Sequence, residues 1–145
     1  MPIMTSAGTT LGISAVLPAT YDAAGFGALT FALAGEITDM GEFGKEFALV
    51  THNPLGDRKT VKRKGSYNNG ALTMQMARVP SDAGQTLLIA ALESDTSYSF
   101  AVTLQDGTIE YFTAQTMSYT TNVGSVDQIT AASVTVEIDD EIVEV

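Results

Sequence analysis

Residues 98–117 read YSFAVTLQDGTIEYFTAQTM. Phe100, Val102 and Leu104 alternate onto one face of the run Tyr98–Leu104, and a second run, Thr108–Met117, follows. Between them stands Asp106-Gly107, a dipeptide suited to the positive φ angles of a two-residue hairpin turn. This pattern predicts an antiparallel β-hairpin. The neighbouring sequence is read most economically as more strands of the same kind. Downstream, Ala132, Val134, Val136 and Ile138 alternate against Ser133, Thr135 and Glu137 in a final strand. Upstream, Thr9–Val16, Leu29–Thr38, Lys45–Thr51 and Ala71–Arg78 read as strands, with Leu72, Met74 and Met76 on one face of the last. The stretch 19–28 (ATYDAAGFGA) reads as a Gly/Ala-rich connection. Asn69-Gly70 has a hairpin composition but no convincing strand before it, so it reads as a bulge or the returning base of a longer excursion.

One helix is expected among these strands. After Pro80, Asp82 stands as N-cap and Gln85 is placed to close a capping box, while Leu87/Ala91 and Leu88/Leu92 form an apolar stripe. About 11 residues of helix are marginal alone and must be held by packing on a sheet. The expected fold class is mainly β (α+β): a β-sandwich or barrel with one flanking α-helix, in a single domain over residues 1–145.

Charge is unevenly distributed along the chain. The net formal charge is −10, yet Arg58, Lys59, Lys62, Arg63 and Lys64, five of the seven basic residues, fall within seven positions. Residues 52–66 carry +4 and the other 130 residues carry −14. With Pro54, Gly56 and Gly65 as breakers and few apolar residues, 52–66 reads as a basic mobile loop extending from a β-hairpin. The last nine residues, EIDDEIVEV, hold five acids, and residues 139–145 read as a solvated acidic C-terminal tail.

Several chemistries are disfavoured by the inventory. With no cysteine there is no disulfide, thiolate nucleophile or cysteine zinc site. The lone histidine, His52, borders the basic segment and reads as an exposed loop residue, not a catalytic base. Glu137, Asp139, Asp140 and Glu141 lack the spacing and the sharp glycine turn of a calcium loop. Gly25-Phe26-Gly27 is no phosphate-binding motif. No metal, cofactor or catalytic residue is therefore expected. No basic residue precedes Lys45, so a secretory signal is not expected, and the longest apolar run, Leu87–Leu92, is far short of the ~20 residues that span a bilayer. These features favour a soluble binding or structural protein with no membrane address over an enzyme.

Five stretches, in this order and spacing, resemble the tail tube (major tail) proteins of long-tailed, siphovirus-type bacteriophages. They are PATYDAAGF (18–26), GEITDMGEFG (35–44), KGSYNNGALT (64–73), DAGQTLL (82–88) and MSYTTNVGSVD (117–127). The resemblance spans roughly residues 8–138. It implies a structural virion protein of the tail tube, assembled in the host cytoplasm, whose hexameric rings stack head to tail. Its partners would be other copies of itself, a tape-measure protein, tail tip or initiator proteins and tail terminator proteins, with DNA passing transiently through an acidic lumen. The Gly35–Gly44 and Tyr98–Met117 segments are candidate lumen-lining hairpins. Some relatives carry a C-terminal immunoglobulin-like domain; the chain ends seven residues after Ile138, so none is expected. The family's corresponding hairpin loop orders when rings stack, which makes Arg58, Lys59, Lys62, Arg63 and Lys64 the candidate inter-ring contact. The alternatives are the tube of a contractile tail or secretion-type injection system and, in another class, a small β-barrel that binds nucleic acid or a ligand. Tight phosphate binding would be counterproductive in a conduit, because each neutralised phosphate slows DNA transit.

Overall fold

The computed structural model describes residues 3–145. The chain opens with β1 (Thr10–Ser14), α1 (Ala23–Gly27), β2 (Ala32–Ala34) and β3 (Ile37–Asp39). Next come β4 (Glu46–His52), β5 (Val61–Asn68), β6 (Ala71–Ala77) and α2 (Ala83–Glu93). It finishes with β7 (Tyr98–Thr103), β8 (Ile109–Asn122), β9 (Ala131–Ile138) and β10 (Val143–Glu144).

The hairpin around Asp106-Gly107 is the centre of the structure, although its turn is not the expected two-residue one. Leu104 N donates to Thr108 O at 2.8 Å across three residues, and of the pair only Gly107 takes a positive φ, 93°. Phe100 lies directly opposite Phe112 in the β7–β8 ladder, and their rings stack with centroids 5.4 Å apart. Strands then add outward in the order β2-β1-β7-β8-β9-β6-β3, all antiparallel, while β4 and β5 pair only with each other. The two outermost strands, β2 and β3, are consecutive in sequence, separated only by Gly35 and Glu36. Three peptide steps span about 11 Å at most, so the two ends of the sheet must approach each other and the sheet curls into a barrel.

The main core fills this curl. Leu11, Ile13, Leu72, Met74, Met76, Phe100, Val102, Phe112, Val134 and Val136 are fully buried in it, and α2 covers one side with Leu88 and Ala91. A second apolar layer lies on the outer face of β7–β8, where Phe26 of α1 stacks on Tyr111 at 5.3 Å and Phe31 stacks on the same ring. Both faces of β7 are therefore covered, and Tyr98–Val102 are buried without a break.

Several expectations change. The alternating run 29–38 is two strands, not one. Glu36 takes a left-handed φ of 61° where the chain leaves β2 for the far edge of the sheet, and its carbonyl accepts from Ala77 N at 2.9 Å. Gly35–Gly44 is consequently no hairpin, because β2 and β3 pair with different strands. The 19–28 connection contains a second helix, the short α1, capped by Asp22, whose carboxylate accepts from Gly25 N. Part of the expected loop 52–66 is strand, since Val61–Asn68 pairs with Glu46–His52 and leaves residues 53–60 as the turn. A strand therefore does precede Asn69-Gly70, which joins the two sheets.

At α2 the Asp82 carboxylate accepts from Gln85 N at 3.0 Å, but Gln85 does not return the bond to Asp82 N. Its fully buried amide instead donates to Ala77 O (2.8 Å) and Gly35 O (3.2 Å) and accepts from Val79 N (2.9 Å). Asp82 also accepts from Gly35 N at 3.2 Å. One helical turn thus clamps the β2–β3 crossing to the end of β6. Gly84 is needed at this contact, because a Cβ there would lie 2.4 Å from Ala34 Cα. A Gln85→Leu variant leaves those backbone groups buried and unpaired, and urea titration followed by circular dichroism should show a loss of about 1–3 kcal/mol. Wild-type stability in that variant would mean that the clamp does not hold the crossing.

Candidate functional site

The β4–β5 hairpin stands outside the curled main sheet, where β6 already has β9 on one side and β3 on the other. It leaves the body as a two-stranded arm, and a two-stranded sheet with nothing packed on it is marginal in water. All seven residues of β4 are exposed, among them Phe47, Leu49 and Val50, and Leu55 at the tip is fully exposed. Direct cross-strand pairing puts Phe47/Tyr67, Leu49/Lys64 and Thr51/Lys62 on one face, with Val50/Arg63 and His52/Val61 on the other. A bulge sets Gly65 and Ser66 against Ala48 between the first two of these pairs. The Lys64 ammonium sits 4.8 Å from the Phe47 ring centroid, and the Phe47 and Tyr67 rings lie 5.2 Å apart. The turn is shaped by its own polar groups: Thr60 Oγ1 donates to Asn53 Oδ1 at 2.7 Å and Asp57 N to Pro54 O at 3.3 Å.

The arm is rooted at Gly44 and Gly70, whose φ values of 152° and 90° suit glycine, and Gly44 N donates to Asn69 O. Among the described residues, one body side chain bonds to it. Glu141 pairs with Lys45 at 3.2 Å and accepts a hydrogen bond from the Tyr67 hydroxyl, while Lys45 Nζ stands 4.4 Å from the Tyr67 ring centroid. Beyond Glu141 the chain rejoins the body as β10, where Val145 and Ile109 exchange backbone bonds of 2.9 and 3.2 Å. Glu144 lies directly opposite Glu110 in this short ladder. Burial first, and the Glu144 charge second, push the Glu110 carboxyl above its usual range.

The sequence profile of the lambda phage tail tube protein (TTP) family matches residues 40–142, which include the arm, its root and Glu141. The chain belongs to the lambda phage tail tube protein family. A chain of the SPP1 tail tube matches 99% of this tail tube protein and 78% of its own length, with a TM-score of 0.67 at 13% identity. A chain of the anti-feeding prophage (AFP) baseplate matches 100% and 96%, with a TM-score of 0.74 at 8% identity. A chain of the PVC sheath–tube complex, from an extracellular contractile injection system, matches 99% and 91%, with a TM-score of 0.62 at 9% identity. These identities show a shared fold. No curated protein matches the chain in sequence. This tail tube protein is thus a structural component of a virion tail, built on a fold found in both phage tail tubes and contractile injection systems.

The predicted contact residues are brought onto one arm, though in two settings: Arg58 and Lys59 in the turn, Lys62, Arg63 and Lys64 on β5. Asp82 and Gln85 lie apart from them, at the clamp on the β2–β3 crossing. His52 is exposed at the end of β4. The segment expected as a solvated tail keeps its acidic side chains exposed, but its backbone is docked. Thr113 Oγ1 donates to Asp139 at 2.7 Å, Ser97 donates to the same carboxylate, and Val143–Glu144 form a strand on β8. Among the described residues no group of three His, Asp or Glu side chains is arranged to hold a metal, and no helix is long and apolar enough to cross a membrane. Sequence reading missed the exposed apolar residues of β4. A signal was present, because a strand facing Lys62 and Lys64 cannot be buried on that face.

Glu141 and Tyr67 give the arm's anchor a pH window. The Tyr67 hydroxyl first, and Lys45 second, hold the Glu141 carboxyl below its usual range, so its stabilising effect is present at neutral pH and lost as pH falls through that depressed value. Tyr67 is raised, chiefly by its hydrogen bond to Glu141, so its effect is lost as pH rises through the raised value. Tyr67 ring resonances should stay constant through neutral pH and shift at acid pH, and Glu141→Gln should abolish the acid shift. An acid transition of the same size in that variant would rule out the anchor.

Proposed function

We propose that this chain builds a tube of hexameric rings stacked head to tail around a tape-measure protein, and that the basic arm makes the contact between rings. The observation that carries this reading is the arm itself. Phe47, Leu49, Val50 and Leu55 stand exposed on it beside Arg58, Lys59, Lys62, Arg63 and Lys64, while the rest of the chain is strongly acidic. A two-stranded sheet with apolar side chains on both faces gains most of its order from a partner, and an acidic neighbouring copy is complementary in sign. A heterologous contact repeated along an axis produces a filament, not a closed oligomer. Six arms engaging together offset an ordering cost that one arm alone does not.

The tube is proposed to end at initiator and terminator proteins and to pass DNA through an acidic lumen, with the Tyr98–Met117 hairpin as its candidate lining. Such a conduit requires no catalytic group. The long-tailed phage setting is favoured over a contractile one by the family to which the chain belongs, although the fold serves both.

The test replaces Arg58, Lys62 and Arg63 together by Gln. The variant should retain the circular dichroism of the wild type and remain monomeric by light scattering, with no tubes in negative-stain images. Normal tube formation by this variant at low salt would overturn the proposal.

A further inference from the structure

A head-to-tail repeat needs two complementary surfaces, and the arm is only one of them. The arm is rooted where β6 begins, beside Gly70, whose carbonyl accepts from Ile138 N. In the β6–β9 ladder Ala71 pairs with Glu137 at that end and Ala77 with Ala131 at the other. Six residue steps, about 20 Å, separate the two ends. At the far end the chain passes from β8 to β9 through residues 123–130, NVGSVDQIT without its first asparagine.

This connection is unusual for a solvated loop. Val123, Val126 and Ile129 are 64%, 97% and 80% exposed. The loop nevertheless has a defined shape. Gln128 Oε1 accepts from Ser125 N, Gln128 N donates to Ser125 O, and Arg78 N donates to Thr130 O at 2.8 Å. These bonds hold three branched apolar side chains in water at one tip, a feature that marks an interaction surface. Asp127 is the loop's one charged residue. The nearest cation in sequence, Arg78, is occupied by Tyr119, to whose hydroxyl it donates at 2.9 Å.

We propose that residues 123–130 form the receptor for the arm of a second copy, with Leu55 seated among Val123, Val126 and Ile129 and Arg58 facing Asp127. The inference rests on the stacking role proposed above and adds the surface that receives the arm. It matches apolar tip to apolar tip and cation to anion. It also uses surfaces at opposite ends of one strand pair, so that a subunit can receive an arm while giving its own.

The chain has no cysteine, so two can be introduced without interference. Leu55→Cys and Val126→Cys chains are mixed, assembled and oxidised with copper phenanthroline, then run on a non-reducing gel. A disulfide-linked dimer from this mixture is expected, and none from Leu55→Cys mixed with Ala90→Cys on the exposed side of α2. Tubes that form without the Leu55–Val126 dimer would overturn the receptor. As a second readout, Val126→Lys should leave circular dichroism unchanged and abolish tubes; unimpaired tubes would overturn it equally. The outcomes separate the two proposals. A failed cross-link in tubes that still require Arg58, Lys62 and Arg63 removes only the receptor, whereas tubes indifferent to those cations remove the stacking role itself.

Discussion

Two residues, Gly35 and Glu36, carry the chain from one outer strand of the sheet to the other, and most of the architecture follows from that short crossing. A link this short leaves β2 and β3 no choice but to approach, so the sheet curls, while β2 and β3 remain its edge strands, each paired on one side only. The crossing carries a cost in the left-handed backbone of Glu36. It is held by hydrogen bonds from three directions: the Asp82 carboxylate on Gly35 N, the Gln85 amide on Gly35 O, and Ala77 N on Glu36 O. The clamp sits on α2, and α2 approaches closely enough to reach it only because Gly84 has no side chain.

The pairing of β6 also bears on the arm. β6 is paired with β9 on one side and β3 on the other, so the strand that precedes it does not join the main sheet beside it. β5 and β4 pair with each other instead, which leaves Phe47, Leu49 and Val50 in solvent beside the lysines of β5.

The C-terminal segment links these two parts. After β9 it crosses the root of the arm, presents Glu141 to Lys45 and Tyr67, and returns to the barrel as β10. At the arm's glycine-bearing root, one ion pair and one hydrogen bond tie the arm to this segment. The fold itself is shared with the SPP1 tail tube and with chains of contractile injection systems at 8–13% identity.

The sequence by itself determined the elements whose signals are local. Asp106-Gly107 with its flanking alternation, the alternating core of β6 and β9, and the Asp82 cap before the stripe of Leu87/Ala91 and Leu88/Leu92 all depend on neighbours a few residues away. The clustering of five cations on a −10 chain was equally plain. Three matters were decided only in the tertiary structure, because each depends on a partner distant in sequence. The run 29–38 alternates as a single strand would, and only the pairing of its halves with β1 and β6 breaks it at Glu36. The run FALV at 47–50 looks like core, and only the lack of a vacant edge on β6 exposes it. Glu141 reads as one acid in an acidic tail, and only the return of β9 to the arm's root, some seventy residues away from Tyr67, gives it a partner.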